Sequence, residues 1–444
     1  MRGCRNALVA AGIACLAAAS PAWAQGQPAT PQRPNVVLII TDDVGYGDFG
    51  SYGAPDIKTP NVDRLAREGV KLTDFYAAPT CTPTRASLIT GRYQQRVALE
   101  EALPSVGGRD RGLLPTGRSL PQLLKNNKYA TGLIGKWHLG WKPEFGPNEH
   151  GFDYFFGFKS GAIDFYTHES ADGSHDLFEN TTPVHPDGYM TDLITAHAVR
   201  FIEQHAAEPF FLDVSYNAAH WPFQVPDHYS KAAQVAYQGP LDNPSPTRAD
   251  YAAMLERADA GVGQILQKLA ALGLERNTLV IFTNDNGGEW LSRNAPLFNR
   301  KATLWEGGIR VASIFRWPGR LPADKVSDQV GIFMDLTASI LAATNTPVPA
   351  EARLEGINLL PILEGRSPQM TRTLFWRTQN QKAVRRGDWK LLANGPLLFL
   401  FNLRDDIGEH TDLAAARTDV IREMRPLITA WETDVDAERK GSGR

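Results

Sequence analysis

The sequence contains very little cysteine, three residues in a chain of 444. Two of them, Cys4 and Cys15, lie within the first 24 residues, a stretch with the features of an export signal. Cys81 is then the one cysteine left, so an exported protein would have no partner with which to form an internal disulfide. Stabilisation by disulfides is thereby excluded, and Cys81 becomes a candidate for chemistry.

Long apolar runs are absent beyond the N-terminus. Two early arginines precede an alanine-rich apolar stretch over residues 7–19, and a small-x-small pattern ends at Ala24. This pattern predicts a signal peptide over residues 1–24, because the apolar run is too short for a transmembrane anchor. We therefore expect an exported protein, periplasmic or secreted, with no stable membrane insertion. Residues 25–34, rich in Gln and Pro, are predicted to form a linker.

An excess of positive charge is also missing. The chain has 46 Lys and Arg against 49 Asp and Glu, which gives a formal net charge of −3. The chain therefore lacks the excess of basic residues that is typical of nucleic-acid-binding proteins, and we expect no nucleic-acid partner. The roughly 420 residues after the leader exceed one ordinary domain and can bury a sizeable core without a metal or disulfide.

Apolar runs of strand length recur along the chain, separated by helical patterns. The clearest runs are 36–40, 210–214, 279–282 and 311–315. Continuous apolar runs are typical of strands buried on both faces of a parallel sheet. One helical pattern begins near Thr247 and stops before Gly273. The alternation predicts an α/β fold, a large domain whose mostly parallel central sheet is flanked by helices.

The pattern changes after about residue 370. Short apolar runs separated by turn residues now follow one another, at 373–377, 383–386, 390–393 and 397–402, and a final helix is predicted over 418–437. They predict a small C-terminal α+β subdomain with an antiparallel sheet. We place the large domain at residues 35–365 and the subdomain at 366–444.

Acidic and amide side chains follow two of the predicted strands. Asp42 and Asp43 come directly after the strand at 36–40, and Asp285 and Asn286 follow the strand at 279–282. Ligands bind at the carboxyl ends of strands in open α/β sheets, so the two pairs can meet despite their separation in sequence. Three carboxylates and an amide oxygen favour Ca²⁺ or Mg²⁺ over zinc.

Cys81 lies beside a predicted short helix. Thr82 is a candidate N-cap and Pro83 a candidate first helical residue, with the helix running toward Gly91. Residue 81 would then face the free N–H groups at the helix start, and Arg85 would add a permanent cation one turn in. This arrangement predicts a place for an anion beside a nucleophile, and a plain acidified thiolate is one form that the nucleophile can take.

The run Cys81-Thr82-Pro83-Thr84-Arg85, closed by Gly91-Arg92, resembles the signature of the type I sulfatases, members of the alkaline-phosphatase superfamily. Further landmarks of that family follow in order along nearly the whole mature chain. They are Asp42-Asp43, Gly135–Gly140 (GKWHLG), His220-Trp221-Pro222, Asp285-Asn286-Gly287, and Lys301 before Glu306-Gly307-Gly308. The resemblance implies an alkaline-phosphatase-like fold and hydrolysis of sulfate esters of sugars or aryl alcohols.

In that family the motif cysteine is oxidised to Cα-formylglycine, so the resemblance implies this modification at Cys81 and a formylglycine-generating maturation enzyme as partner. One hydroxyl of the hydrated aldehyde attacks sulfur, and the other later expels sulfate. The resemblance implies roles for further residues as follows: metal ligation by Asp42, Asp43, Asp285, Asn286 and residue 81; binding and activation of the diol by Arg85 and His138; and binding of sulfate oxygens by Lys136, His220 and Lys301. His220 or Lys301 would protonate the leaving alcohol.

Two other functions are compatible with parts of this pattern. A phosphonate or phosphodiester hydrolase of the same superfamily would tend to carry histidine in place of Asn286 and to lack the Gly-Lys-Trp-His segment. A non-catalytic carbohydrate-binding relative would have lost metal or nucleophile positions, and these are intact. The aromatic-rich stretch 151–168 is either core or a stacking pocket with Asp164 and His168 as polar contacts, and core packing is the favoured interpretation.

Overall fold

The computed structural model describes residues 33–104, 106–227 and 246–441. The predicted signal peptide at 1–24, and the linker at 25–34 up to residue 32, lie outside the described residues. None of the helices in the described part combines the length and apolar character that a bilayer crossing requires. The residues from Arg33 onward cluster as one compact unit.

A large mixed sheet organises the described residues. In chain order its strands are β1 (Asn35–Thr41), β2 (Val70–Tyr76), β3 (Ala130–Lys136), β4 (Tyr154–Phe158), β5 (Phe178–Glu179), β6 (Thr182–Pro183), β7 (Phe210–Ser215), β8 (Thr278–Asn284), β9 (Arg310–Arg316), β10 (Lys325–Ser327) and β11 (Gly331–Ile332). Their spatial order is β10-β2-β9-β8-β1-β7-β3-β4-β5-β6, with β11 also paired to β2. The central strands β8, β1, β7, β3 and β4 run parallel to one another, whereas β9 pairs antiparallel with both β8 and β2. The predicted mostly parallel sheet is therefore confirmed.

Helices cover both faces of this sheet. They are α1 (Pro60–Arg67), α2 (Cys81–Thr90), α3 (Leu120–Asn126), α4 (Met190–Gln204), α5 (Arg248–Ala271), α6 (Glu306–Ile309), α7 (Phe333–Ala343), α8 (Leu360–Leu363) and α9 (Thr418–Gly441). Short 3₁₀ turns lie at Tyr46–Asp48, Gly50–Tyr52, Gln94–Val97, Pro143–Phe145, Pro147–His150, Glu275–Asn277 and Ala350–Ala352. Helix α5 begins after Thr247, whose side chain accepts from the N–H of Asp250 in a capping box.

The side chains of β1 show why both faces are covered. Val37 and Ile39 belong to a core built with α1, α4 and α5, whereas Val36, Leu38 and Ile40 belong to a core built with α2, α3 and α7. Successive side chains of a strand point to opposite faces, so a continuous apolar run needs helices on both sides. The apolar sequence of β1 thus accounts for its central position.

A second, antiparallel sheet follows in the C-terminal part. Its strands are β12 (Thr373–Arg377), β13 (Gln381–Arg386), β14 (Trp389–Asn394) and β15 (Leu397–Asn402), in that order. This sheet is confirmed, and α9 follows it as predicted. Trp376 of β12 donates its Nε1–H to the carbonyl of Ala77 at 2.9 Å, which ties the sheet to the segment that precedes α2. A domain boundary near residue 365 stays a prediction.

Candidate active site

The two acidic pairs meet at the carboxyl ends of neighbouring strands. β1 pairs with β8 in a register that sets Thr41 opposite Asn284. The residues that follow each strand are therefore neighbours, and the N–H of Asp285 donates to the carbonyl of Thr41 at 3.1 Å. Asp42, Asp43, Asp285 and Asn286 are all buried.

The helix that carries Cys81 begins earlier than the sequence pattern predicts. α2 starts at Cys81, with Thr80 in an extended conformation as its N-cap, so the predicted start at Pro83 is wrong. The Thr82 hydroxyl does not cap the helix, because it is used elsewhere. It donates to the carbonyl of His138 at 3.0 Å and accepts from the N–H of Leu103 at 3.1 Å. Cys81 is thus the first helical residue, buried with 2% of its surface exposed.

The Cys81 thiol faces one nitrogen of His138. Nδ1 of His138 lies 3.1 Å from Sγ, and Nε2 lies 2.8 Å from the carbonyl oxygen of Leu103. A carbonyl only accepts, so Nε2 carries the proton and a neutral ring turns the lone pair of Nδ1 toward residue 81. Burial and the neighbouring Lys136 hold the pKa of His138 well below its usual value, which keeps the ring neutral.

Each of three permanent cations pairs with one acidic residue. Nζ of Lys136 lies 2.5 Å from Oδ2 of Asp42, and Nζ of Lys301 lies 2.6 Å from Oδ2 of Asp43. The guanidinium of Arg85 donates to Oδ2 of Asp285 from Nε at 3.1 Å and from Nη2 at 2.9 Å. Every pair is nearly or wholly buried.

These ion pairs shift the acidity of their members in different directions. Burial opposes ionisation of Asp43, yet Lys301, His220 and Lys136 outweigh it and hold the pKa of Asp43 below its usual value. At Asp42 burial and the charge of Asp285 prevail, and its pKa is raised well above the ordinary value. At Asp42, burial and the repulsion by Asp285 thus outweigh the attraction of Lys136, and an added cation would favour the ionised form of this carboxyl.

Three oxygens at this point have no hydrogen-bond partner. Oδ1 of Asp42, Oδ1 of Asp285 and Oδ1 of Asn286 are buried and unpaired among the described residues. Ligand atoms of Asp42, Cys81 and Asp285 lie within 4.8 Å of one another. Unpaired buried acceptors are costly. Hard oxygen donors of this kind fit a Ca²⁺ or Mg²⁺ ion.

The hydrogen bonds of the Asn286 amide nitrogen keep its side-chain oxygen free. Its Nδ2 donates to Oδ1 of Asp43 at 2.8 Å and to the carbonyl of Gly287 at 2.9 Å. Both amide hydrogens are thereby used, so the amide oxygen must point the other way.

His220 lies near the other oxygen of the Asp43 carboxylate, the one that Asn286 does not contact. Its Nε2 is 3.4 Å from Oδ2 of Asp43, and its Nδ1 is 2.6 Å from the carbonyl of Trp221. The carbonyl fixes a proton on Nδ1, and burial lowers the pKa of the ring well below its usual value. Asp42, Asp43 and His220 form a second group of potential ligands that overlaps the first.

Every residue that the sequence analysis assigned to catalysis or metal binding thus lies in one cluster, in which Lys301 is partly exposed and the others are buried. The residues it did not identify hold that cluster in place. Ser215 accepts from Nη1 of Arg85 at 3.1 Å and donates to Asp213 at 2.8 Å, and Gly161 presses on the His138 ring, where an added Cβ would lie 2.5 Å from Cε1. The sequence could have indicated Ser215, because it ends a predicted strand as Asp42 and Asp285 follow theirs. No sequence pattern distinguishes Gly161 from other glycines.

The aromatic-rich stretch 151–168 belongs to the core. The phenylalanines at 152, 155, 156, 158 and 165 are fully buried among residues of the two sheet-flanking cores. Asp164 accepts from Nε2 of Gln224 at 2.6 Å, and His168 contacts the carbonyl of Gly188 at 3.1 Å. Core packing, the favoured interpretation, is confirmed for these phenylalanines.

Comparison with known proteins gives a consistent result. The family model described as Sulfatase matches residues 34–346. N-acetylgalactosamine-6-sulfatase of Canis lupus familiaris is 33% identical over 395 residues, which cover 82% of this chain and 72% of that protein. Arylsulfatase J of Mus musculus is 31% identical over 401 residues, which cover 82% of this chain and 65% of that protein.

Solved structures agree in fold. The structure of Ps i-CgsB in complex with k-i-k-neocarrahexaose superposes with a TM-score of 0.81 and 31% identity, covering 90% of this chain and 93% of that one. BT4656 in complex with its substrate D-glucosamine-2-N,6-O-disulfate has a TM-score of 0.75 at 20% identity, covering 91% and 99%. The second comparison bears on the fold alone.

Proposed function

Since the chain belongs to the sulfatase family and is a sulfuric ester hydrolase, we propose that it hydrolyses sulfate esters of sugars with a Cα-formylglycine at position 81 and a divalent cation beside it. The observation that carries this proposal is the convergence of Cys81 with Asp42 and Asp285, whose ligand atoms lie within 4.8 Å of one another. A cysteine so placed, with no described disulfide partner, is suited to chemistry rather than to structure.

The cation would be held by the unpaired oxygens of Asp42, Asp285 and Asn286, with Asp43 and residue 81 beside them. Asp42 and Asp285 each give one oxygen to a basic side chain and keep the other free, so the set can bind a metal without losing its ion pairs. A bound Ca²⁺ or Mg²⁺ would supply Lewis-acid polarisation of a sulfate ester oxygen.

Oxidation of Cys81 would supply, in the hydrated aldehyde, one hydroxyl that attacks sulfur in line and a second that expels sulfate. His138 is the base for this position, because the lone pair of its Nδ1 already faces residue 81. Its Nε2–H bond to Leu103 holds the ring in the tautomer that accepts a proton there.

Arg85 has a positioning role in this proposal. Its guanidinium donates to Asp285, to the carbonyl of Lys136 at 2.9 Å and to Ser215 at 3.1 Å. These bonds hold the Asp285 carboxylate, which is a proposed metal ligand, and the end of β3 in fixed positions relative to α2. The positive charge still acts on residue 81, one turn away on the same helix.

Lys136, His220 and Lys301 would bind the sulfate oxygens. The two lysines remain charged, because Asp42 and Asp43 raise their pKa values despite burial. Preorganised cations aimed at developing charge stabilise a transition state strongly in a buried site. Either the charged Lys301 or the imidazolium form of His220 would donate the proton that the leaving alcohol needs; the neutral form of His220 cannot, because its proton is on Nδ1, bonded to the carbonyl of Trp221.

A sugar as the substrate is supported by what similar proteins bind or are named for. Ps i-CgsB was solved with a neocarrahexaose, and the mammalian relatives are named for N-acetylgalactosamine 6-sulfate. With a signal peptide at 1–24, the enzyme would act after export, in the periplasm or outside the cell, and would need a formylglycine-generating enzyme as its maturation partner.

The experiment is an assay of the purified, matured enzyme and of Cys81→Ala on three substrates. We expect the wild type to hydrolyse N-acetylgalactosamine 6-sulfate and 4-nitrophenyl sulfate, and the variant to hydrolyse neither. A kcat/KM for a phosphate diester that exceeds both sulfate values by orders of magnitude would contradict the proposal.

A further inference from the structure

The main chain at 159–161 lies against the ring of His138. Lys136, the last residue of β3, pairs with Phe158, the last residue of β4, so the residues that follow these two parallel strands are neighbours. An added Cβ on Gly161 would lie 2.5 Å from Cε1 and 2.7 Å from Nε2 of His138. The position of the ring therefore depends on where this segment is held.

The backbone of His138 does not by itself favour the position that the ring adopts. Its φ is +55°, in the left-handed region that residues other than Gly rarely occupy. Such a conformation persists only where the surrounding structure imposes it. The contacts around His138 therefore keep its Nδ1 directed at Cys81, 3.1 Å from Sγ.

A buried carboxylate holds the segment at 159–161. Asp176 lies two residues before β5, the strand that pairs with β4 on its outer side. Its Oδ1 accepts from the N–H of Lys159 at 2.9 Å, and its Oδ2 accepts from the N–H of Ser160 at 2.9 Å. Each carboxylate oxygen thus binds one of two consecutive N–H groups, and Gly161 is the next residue along the chain.

Asp176 is fully buried and forms no ion pair with another described residue. Lys159 is the charged side chain that acts on it, but the Nζ of Lys159 lies over the ring of Phe178, 4.1 Å from its centroid. Nε2 of His175 contacts a main-chain carbonyl at 3.0 Å, and His168 offers its own carbonyl to the N–H of Asp176 at 3.0 Å. The two N–H groups are therefore the main partners of this carboxylate.

Burial raises the pKa of Asp176 to about 6. A raised pKa means that the folded protein binds the proton more tightly than the unfolded chain, so the carboxylate present at pH 8 weakens folding relative to the protonated form. A contribution to stability therefore does not explain an ionised group at this position. Ionisation provides two equivalent acceptors, whereas an amide or a protonated carboxyl has one carbonyl oxygen only.

We propose that Asp176 is a positioning residue for the reaction, which holds residues 159–161 against His138 and so keeps Nδ1 where it takes up the proton of the residue-81 hydroxyl. The inference rests on the proposed function, because it needs His138 as the base. A displacement of about 1 Å at a reacting group costs about 10²-fold in rate, so we expect the loss of one of the two N–H bonds to cost about tenfold.

The test compares kcat of the matured wild type with kcat of Asp176→Asn on 4-nitrophenyl sulfate, at pH 8 and at pH 5. At pH 8 the wild-type carboxylate accepts both bonds, and the variant should have a kcat about tenfold lower. At pH 5 only about a tenth of the wild-type carboxyl is ionised, so the ratio of the two kcat values should fall to about two. The ratio cancels every other titration that the two enzymes share.

Asp259→Asn is the matched control. Asp259 is also a buried carboxylate without an ion pair among the described residues, and it accepts from the N–H groups of Asn61 and Val62 at the start of α1. Its kcat should equal that of the wild type at both pH values. Gly161→Ala, which places a methyl group against the ring while Asp176 is intact, should lower kcat at both pH values.

A kcat ratio for Asp176→Asn that does not change between pH 8 and pH 5 would overturn the inference, and so would a wild-type kcat in Gly161→Ala. Either result requires a wild type that hydrolyses 4-nitrophenyl sulfate, and the proposed function then stands. If the matured wild type hydrolyses no sulfate ester, the proposed function and the inference fail together.

Discussion

Asp285→Ala offers the sharpest test of the metal site, because Asp285 has two functions that can be measured separately. Its Oδ2 neutralises the buried Arg85, and its Oδ1 is one of the unpaired oxygens of the candidate metal site. Removal of one partner of a buried ion pair costs about 3–5 kcal/mol. For a folded chain of about 410 residues the unfolding entropy is about 0.9 kcal/mol per kelvin, so the Tm in chelator should fall by about 3–6 °C.

The second function appears when a cation is added. At a Ca²⁺ concentration of 100 times its Kd, binding to the folded wild type contributes about 2.7 kcal/mol, which corresponds to a rise in Tm of about 3 °C. Asp285→Ala should lose most of that rise at the same concentration. Differential scanning calorimetry in chelator and then in Ca²⁺ measures both effects without any activity assay.

Asp335→Ala is the matched control, since Asp335 is also fully buried and paired with an arginine, Arg372, but lies in α7. It should lower the Tm in chelator by a similar amount and retain the full rise with Ca²⁺. An equal rise with Ca²⁺ in Asp285→Ala and in the wild type would refute the assignment of Asp285 as a metal ligand.

Three further predictions follow from the site. Cys81→Ser should lose multiple turnover, because serine cannot supply the second hydroxyl that expels sulfate. In a steady-state assay its kcat should be lower than that of the wild type by at least about 10³-fold. Steady turnover by this variant would contradict the mechanism. His220→Ala and Lys301→Ala identify the general acid. The variant that lacks this acid should lose about 10²-fold more kcat/KM on a sugar sulfate than on 4-nitrophenyl sulfate, because nitrophenolate leaves without a proton. If each variant loses the same factor on both substrates, neither residue is the acid. Burial raises the pKa of Asp213 from 3.8 to about 6, so the folded state binds that proton more tightly and stability falls as pH rises from about 4 to 6. Asp213→Asn should therefore gain up to about 3 kcal/mol over the wild type at pH 8 and nothing at pH 4 in urea unfolding, and a pH-independent difference would contradict this.

The parts of the fold that follow from local pattern were predictable. Apolar runs of strand length gave the central strands, and the parallel sheet then implied that Asp42 and Asp285 meet, because carboxyl ends of parallel strands share an edge. The start of α2 was not predictable in this way. Thr82 and Pro83 fit the start of a helix, but the Thr82 hydroxyl bonds instead with the main chain at His138 and Leu103, which are distant in sequence.

Contacts between distant side chains were likewise beyond the pattern. The sequence places Arg85 one turn from Cys81, yet its bonds to Asp285 and Ser215 depend on three elements packing together. The second sheet is a further case, since Trp376 of β12 reaches the carbonyl of Ala77 only when that sheet packs against the segment that precedes α2. Sequence patterns give the chemistry of single segments, and tertiary packing determines which segments share a site.

The central claim is that residue 81 acts as an aldehyde made from cysteine, beside a divalent cation. Mass spectrometry of the peptide that contains residue 81, taken from enzyme of measured specific activity, tests it most directly. We predict that residue 81 has lost its sulfur and gained an aldehyde, in a fraction that rises in proportion to activity across preparations. Fully active enzyme in which residue 81 is entirely an unmodified thiol would contradict the account.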